Sequence, residues 1–294
     1  MHEENSAGVT TIGVVGAGLM GAGIAQVAAA AGFTVLIHDS VEGAFARAKE
    51  SIEGRYRHLQ AKGRMEAAAV EDALGRLAEA SCVEDLAGCD AVIEAVIEDL
   101  AVKQDVFERL GRVVGDHTIL ATNTSALPIT DIAARCCRPG QVVGMHFFSP
   151  VPVMRLCEVV RGYRTTDAVL QAAVDLAHRL GKETIVVSRD DAGFVTSRLM
   201  TVLVQEAARI VEEGLATPED VDRACELGFG HRMGPLATTD LTGVDVAYRA
   251  GRSIFEATGD PTFRPPQILR RMVAAGALGR KSGEGFYQHD RERG

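Results

Sequence analysis

Two side chains within one short stretch, GMHFFSPVPVMRLCEVV (residues 144–160), are of the types that proton transfer needs. His146 follows an apolar run, and Glu158 comes twelve residues later, also among apolar neighbours. Oxidising an alcohol takes a base of near-neutral pKa for the hydroxyl proton and donors for the developing oxyanion. Histidine is such a base, and a carboxylate on its far nitrogen fixes tautomer and orientation. His146 ends an expected strand, Phe147–Pro152 turns, and Glu158 lies on the returning LCEVV run. Two antiparallel arms of this length can set the two side by side. Spacing alone leaves two readings open: a catalytic pair, or a buried histidine with a structural partner. Ser149, in the same stretch, reads as a turn residue.

A second stretch carries ligand-binding chemistry. GAGLMG (Gly16, Ala17, Gly18, Leu19, Met20, Gly21) follows the apolar run TIGVV and opens a helical pattern that runs to Ala31. In a strand–turn–helix setting, Gly16 allows the tight turn, Gly18 lets backbone approach a pyrophosphate, and Gly21 lets helix pack on strand. The helix start, with Leu19 and Met20, offers N–H donors to phosphate. Asp39 ends the next strand; it can accept both hydroxyls of an adenine ribose and repels a 2′-phosphate. No arginine follows in SVEG, so NAD is expected over NADP. FAD and a ligand-free glycine turn are the rivals, and FAD enzymes usually need a larger chain.

The elements that must position these residues follow from the patterning. The runs TIGVV, TVLIHD, AVIEAV, TILAT, VVGMHF, LCEVV and ETIVVS alternate with helical stretches, which implies βαβ units and a mainly parallel sheet. The expectation is an α/β Rossmann-like domain over 1–188, then an all-α domain over 189–294, with the break near SRDDA. In the first helix of the second domain, Phe194, Leu199, Met200, Leu203, Ala207, Ile210 and Val211 recur at helical steps, and Gly214 stops it. The next helix starts at TPED, with a threonine cap and proline at its first position. The charged tail is expected to fray beyond Tyr287.

Composition narrows the class. A net charge of −9 argues against sequence-independent nucleic-acid binding. One basic segment, Arg47–Arg64, is either a solvated helix face or a contact for an anionic ligand. The six cysteines form no C-x-x-C pair and no metal-ligand spacing, so no metal is expected and reduced thiols are. The polar N-terminus does not read as a secretory signal and no apolar run is long enough for a bilayer span, so the protein is expected to be cytoplasmic without membrane partners.

Together, VVGAGLMGAGIAQVAA, AVIEAVIEDLAVKQDVF, ATNTSALPIT, GMHFFSPVPVMRLCEVV, GFVTSRL, RMGPLATTDLTGVD and GRKSGEGFY resemble the L-3-hydroxyacyl-CoA dehydrogenase family, in its short monofunctional 3-hydroxybutyryl-CoA type. The set spans nearly the whole chain in the family's order. The resemblance implies NAD-dependent interconversion of an L-3-hydroxyacyl-CoA and a 3-ketoacyl-CoA, with a homodimer formed through the helical domain. It makes His146 the base, Glu158 its partner, and Ser125 the group on the substrate's 3-oxygen. It sets Asn123, Glu98 and Lys103 near the nicotinamide and its ribose. It also turns the helical excursion near 41–78 into a CoA contact, with Arg55 and Lys62 as the phosphate donors.

Three positions depart from the family's pattern. Ser149 stands where an asparagine contacts cofactor, Ser197 stands where an asparagine bonds substrate, and Ala126 replaces a second serine. Losing one well-placed hydrogen bond costs on the order of 1–3 kcal/mol, a slower or redirected enzyme rather than a dead one. The alternatives are a dehydrogenase of another hydroxyacid on this scaffold, such as the gulonate type, or a catalytically weakened NAD- or CoA-binding protein. Dehydrogenases that use a lysine base in the linker helix are disfavoured, since no lysine lies between Glu183 and Lys281.

Overall fold

The computed structural model describes residues 8–289, and the charged end from Asp290 lies outside the described residues. The chain divides into two compact units, the first ending at Asp190 and the second beginning at Asp191.

The first unit is a sheet clothed by helices. Its elements run β1 (Thr11–Val15), α1 (Leu19–Ala30), β2 (Thr34–His38), α2 (Ala44–Ala61), α3 (Ala67–Gly75), β3 (Leu77–Glu79), β4 (Ala91–Glu94), α4 (Leu100–Val113), β5 (Ile119–Thr122), α5 (Ile129–Ala133), β6 (Val142–Phe147), β7 (Leu156–Val160), α6 (Asp167–Arg179) and β8 (Glu183–Val187). The sheet order is β3-β2-β1-β4-β5-β6-β7-β8. All neighbours pair in parallel except β6 with β7. The strands β4, β5 and β6 are buried at every position, because helices cover both faces of a parallel sheet. The chain reverses its strand order between β1 and β4, which opens a crevice at their carboxyl ends.

Local chemistry sets the helix starts. Asp99 caps α4 by accepting the Val102 N–H at 3.0 Å, and Thr166 caps α6. At α1, an added Cβ on Gly21 would stand 1.8 Å from the Gly16 carbonyl oxygen, so only glycine lets α1 lie this close to the turn. Asp39 was expected to end the second strand and instead stands one residue beyond it. The three-residue β3 had no counterpart in the sequence patterning, being too short to show a period.

The second unit is helical: α7 (Thr196–Glu212), α8 (Pro218–Phe229), α9 (Pro235–Thr242), α10 (Val244–Thr258) and α11 (Gln267–Ala275). Thr217 caps α8 with Pro218 at its first position, as its sequence implies. Asp222 on α8 accepts the first free N–H groups of α9, from Leu236 and Ala237, both at 2.8 Å. The carboxylate of Asp240 takes the N–H groups of Phe286 and Tyr287 at 2.9 Å and the ring of His289 at 2.8 Å. Fraying beyond Tyr287 therefore does not occur as far as His289. The apolar residues of α7 fall on more than one face. Thr201, Val204, Gln205, Ala207 and Ala208 are buried, whereas Leu199 and Met200 are 68% and 48% exposed.

Candidate active site

The antiparallel β6–β7 pair sets the core of the site. Register places His146 directly opposite Glu158, and residues so paired project to the same face with Cβ atoms about 5 Å apart. The His146 Nδ1 and Glu158 Oε2 atoms are 2.6 Å apart. Glu158 is fully buried and His146 is 6% exposed, with Phe148 stacked obliquely on the imidazole at 4.3 Å. An ionised carboxylate only accepts, so Nδ1 carries the proton and Nε2 is the basic nitrogen.

Beside this pair, the loop after β5 carries Asn123, Thr124 and Ser125. Asn123 Oδ1 accepts the Phe147 N–H at 2.8 Å and so ties the loop to the end of β6. Ser125 is exposed. Its N–H and that of Ala126 donate to Glu98 Oε1 at 2.9 and 3.2 Å, and the Thr124 hydroxyl donates to the same oxygen at 2.6 Å. Partial burial raises the pKa of Glu98, but the Lys103 charge and these donors outweigh it and hold the carboxyl below its ordinary value. Lys103, on α4, is 1% exposed, with Nζ 2.7 Å from Glu94 and 3.4 Å from Glu98. Lys103 thus lies enclosed behind Glu98, with its charge directed at Glu94 and Glu98.

The glycine turn fits a dinucleotide. Gly16 has φ +100°, in the region glycine alone adopts freely. An added Cβ on Gly18 would meet nothing within 4 Å, so the backbone there faces open space, as close approach to a diphosphate requires. Leu19 and Met20 begin α1, whose first N–H groups point out of the helix end. A cavity of about 800 Å³ extends from Gly16 and Gly18 past Asp39 to Val96 and Ile97. Asp39 Oδ2 accepts the Ala17 N–H at 2.7 Å, and Oδ1 accepts that of Val41 at 2.8 Å. Each oxygen keeps a lone pair for a ribose hydroxyl. Turn, helix start, carboxylate and cavity together fit NAD.

A second cavity of about 580 Å³ lies among α1, α2 and the Ser149–Val153 turn, and both Arg55 and Ser149 line it. Arg55 donates to Gln26 at 3.2 Å. Lys62, at the end of α2, is exposed and lies outside that lining. The other bases of the segment are partly engaged: Arg57 pairs with Glu71 of α3 at 2.6 Å. Ser197 belongs to the second unit, half-buried in the first turn of α7.

The 3-hydroxyacyl-CoA dehydrogenase NAD-binding domain matches residues 11–191, and the C-terminal domain of the same enzymes matches residues 193–289. The chain belongs to the 3-hydroxyacyl-CoA dehydrogenase family. Within it, a probable 3-hydroxybutyryl-CoA dehydrogenase of Deinococcus radiodurans is 44% identical over 277 residues, covering 94% of this chain and 99% of that one. The human mitochondrial hydroxyacyl-coenzyme A dehydrogenase is 39% identical, covering 96% and 91%. The crystal structure of (S)-3-hydroxybutyryl-CoA dehydrogenase from Ralstonia eutropha superposes with a TM-score of 0.93 at 38% identity, covering 96% and 99%.

Sequence reasoning about this dehydrogenase passed over Glu94, Thr122 and Thr124. Glu94 ends β4 fully buried, accepting from the Thr122 hydroxyl and the Val96 N–H, both at 2.7 Å. The available signal was a charge inside the apolar run AVIEAV, followed nine residues on by Lys103.

Proposed function

We propose the following division of labour for the NAD-dependent oxidation of a 3-hydroxyacyl-CoA to the 3-ketoacyl-CoA, or its reversal, that this dehydrogenase family catalyses. His146 removes the proton of the 3-hydroxyl at Nε2. Glu158 remains ionised, keeps the tautomer and stabilises the imidazolium that forms. Ser125 donates to the substrate's 3-oxygen, where negative charge develops. The chemistry that NAD supplies when bound is acceptance of a hydride from the substrate's third carbon. Gly16, Gly18, Leu19, Met20 and Gly21 cradle the diphosphate, and Asp39 receives the adenine ribose. Asn123, Glu98 and Ser149 border the nicotinamide end, with Lys103 behind Glu98. Arg55, and less directly Lys62, face the phosphates of CoA from α2, with the 580 Å³ cavity as the path for its arm. Ser197, on α7 of the second unit, is that unit's candidate for a substrate hydrogen bond, as the family pattern implies.

The observation that carries this reading is the 2.6 Å His146–Glu158 contact between paired strands. A short acyl chain is proposed because two of the relatives named above, from Deinococcus radiodurans and Ralstonia eutropha, bear the name 3-hydroxybutyryl-CoA dehydrogenase. Its test follows NADH absorbance with acetoacetyl-CoA and longer 3-ketoacyl-CoA substrates. His146→Ala should lower kcat by roughly 10²–10⁴-fold. Equal rates for parent and variant discard the mechanism, and faster turnover of long chains discards the short-chain assignment. A weakened binding protein is the second reading, favoured by Ser149 and Ser197. Absence of turnover at any chain length, with NADH still binding, would establish it.

A homodimer through the second unit is also proposed. Leu199, Met200 and Val202 on α7, 68%, 48% and 36% exposed, supply an apolar surface for a second copy. A monomer at micromolar concentration in light scattering would overturn it. No helix among the described residues is long and apolar enough to cross a membrane. A cytoplasmic location completes the proposal and is tested by cell fractionation.

A further inference from the structure

One pair of buried charges stands behind the chemistry above without a stated task. Glu94 is fully buried at the end of β4, and Lys103 is 1% exposed on the first turn of α4. Two charges are seldom enclosed together without a reason, since burial costs each ion several kcal/mol, about what good geometry returns. Here the geometry is close to complete. Glu94 Oε1 accepts Lys103 Nζ and the Val96 N–H, both at 2.7 Å, and Oε2 accepts the Thr122 hydroxyl at 2.7 Å. Strand β4, its outgoing loop, strand β5 and helix α4 thus meet on one carboxylate.

Lys103 also reaches forward. Its Nζ lies 3.4 Å from Glu98 Oε2, while the other oxygen of Glu98 gathers the Thr124 hydroxyl and the N–H groups of Ser125 and Ala126. The Ser125 hydroxyl itself stands 3.4 Å from that oxygen. Glu98 keeps 39% of its side-chain surface open, so burial alone does not hold its rotamer. The polar chain from Thr122 through Glu94, Lys103 and Glu98 ends on the turn that presents Ser125.

We infer that Glu94 and Lys103 are positioning residues: their buried ion pair fixes Glu98, and Glu98 fixes the Thr124–Ser125–Ala126 turn and hence the Ser125 hydroxyl. Lys103 supplies a point charge that orients one carboxylate oxygen and leaves the other to collect donors. Glu94 keeps that ammonium at the right depth, since an unpaired lysine would swing toward Glu98 or solvent. Among the described residues, the cation paired with Glu98 is Lys103 of α4, with Glu94 of β4 behind it, and the β5 loop contributes neutral donors. Without Lys103, partial burial acts on Glu98 unopposed by a cation, and its carboxyl shifts toward protonation. A protonated Glu98 loses acceptor strength for the turn's donors. The role in catalysis rests on the reading that Ser125 holds the substrate oxygen; the effect on the turn does not.

The experiment measures both independently. Amide hydrogen exchange by NMR reads Ser125 and Ala126 directly, and steady-state kinetics with NADH and acetoacetyl-CoA from pH 5.5 to 8.5 reads catalysis, in the full-length chain. Lys103→Met should speed exchange at Ser125 and Ala126 at least about tenfold at pH 6, with Ile93 and Leu120 unchanged within about twofold. It should also add an acidic limb to the kcat profile that the parent lacks, recovering as pH rises and Glu98 ionises. Should Lys103→Met not fold because Glu94 is left uncompensated, the Glu94→Gln/Lys103→Met double variant removes both charges and should show the same two effects. Unchanged exchange at Ser125 and Ala126 in a folded variant overturns the inference. Faster exchange with an unaltered kcat profile overturns its catalytic part. Ser125→Ala judges the underlying reading by itself: full activity there refutes the role of Ser125 while leaving the exchange result to stand.

Discussion

At the scale of single residues, two of the three positions expected to depart from the family's pattern are serines. Ser149 lines the cavity beside α1 and α2, and Ser197 lies in the first turn of α7. A serine hydroxyl has one donor and a shorter reach than an asparagine amide. Restoring asparagine at either position is expected to raise kcat/KM for acetoacetyl-CoA reduction by roughly fivefold or more, the equivalent of about 1 kcal/mol. Initial rates with the Ser149→Asn and Ser197→Asn variants check this, and values at or below the parent's for both would remove the hydrogen-bond explanation. His146 and Glu158 could be paired from sequence because antiparallel arms around a short turn bring two marked residues into register. Lys103 was singled out by the family resemblance, but its burial was not legible. Its burial depends on a partner at the end of β4, and Glu94 was hidden inside an apolar strand whose period showed only the sheet.

At the scale of elements, strands and helices were readable where several residues repeat a period, as in β1, β4 and α1. The three-residue β3 repeats nothing, and α7 offers apolar residues on more than one face, so its pattern showed a helix without choosing which side the core takes. The turn between β1 and α1 separates packing from ligand contact, because its glycines serve different neighbours. Gly21→Ala drives a methyl into the Gly16 carbonyl at 1.8 Å, and backbone on both sides must move. Overpacking of this kind costs about 1–3 kcal/mol, more than the helix-propensity gain of roughly 1 kcal/mol from replacing glycine. Gly18 has φ −69°, open to any residue, and an added methyl there meets no protein atom within 4 Å. Gly21→Ala should therefore lower the thermal midpoint of the free protein by several degrees. Gly18→Ala should leave it within about 2 °C yet weaken NAD binding at least tenfold, since its methyl points where the diphosphate passes. Differential scanning calorimetry and titration calorimetry separate the two. The scheme fails if Gly18→Ala melts lower while binding NAD normally.

Across the whole molecule, acid response ties the two units to particular carboxylates. Among the described carboxylates, Asp90, Glu98 and Asp245 are held below their ordinary range although partial burial pushes each upward. Asp90 is overcome by the N–H groups and hydroxyl of Thr10 and Thr11 and by the charge of Arg179. Glu98 is overcome by Lys103 and the Ser125 turn, and Asp245 by Lys281 and Arg249. A carboxylate with a depressed folded pKa contributes stability that is fully present above its unfolded value, about 4, and lost as pH falls through the folded value. In that window the unfolded chain binds more protons than the folded one, so stability falls with pH. The net charge of −9 acts the other way at first, since protonation relieves self-repulsion before the chain turns cationic. The thermal midpoint should thus stay nearly flat from pH 8 to about 5 and drop below about 4. Salt at 0.5 M should erode the share of Asp245, whose partners Lys281 and Arg249 are 47% and 68% exposed, more than that of Asp90, whose acceptors' partners include backbone amides. Asp90→Asn and Asp245→Asn tell the units apart, each flattening the acid limb of its own. A midpoint that does not change between pH 6 and 3, or an acid limb unaltered in both variants, would assign the acid response to other groups.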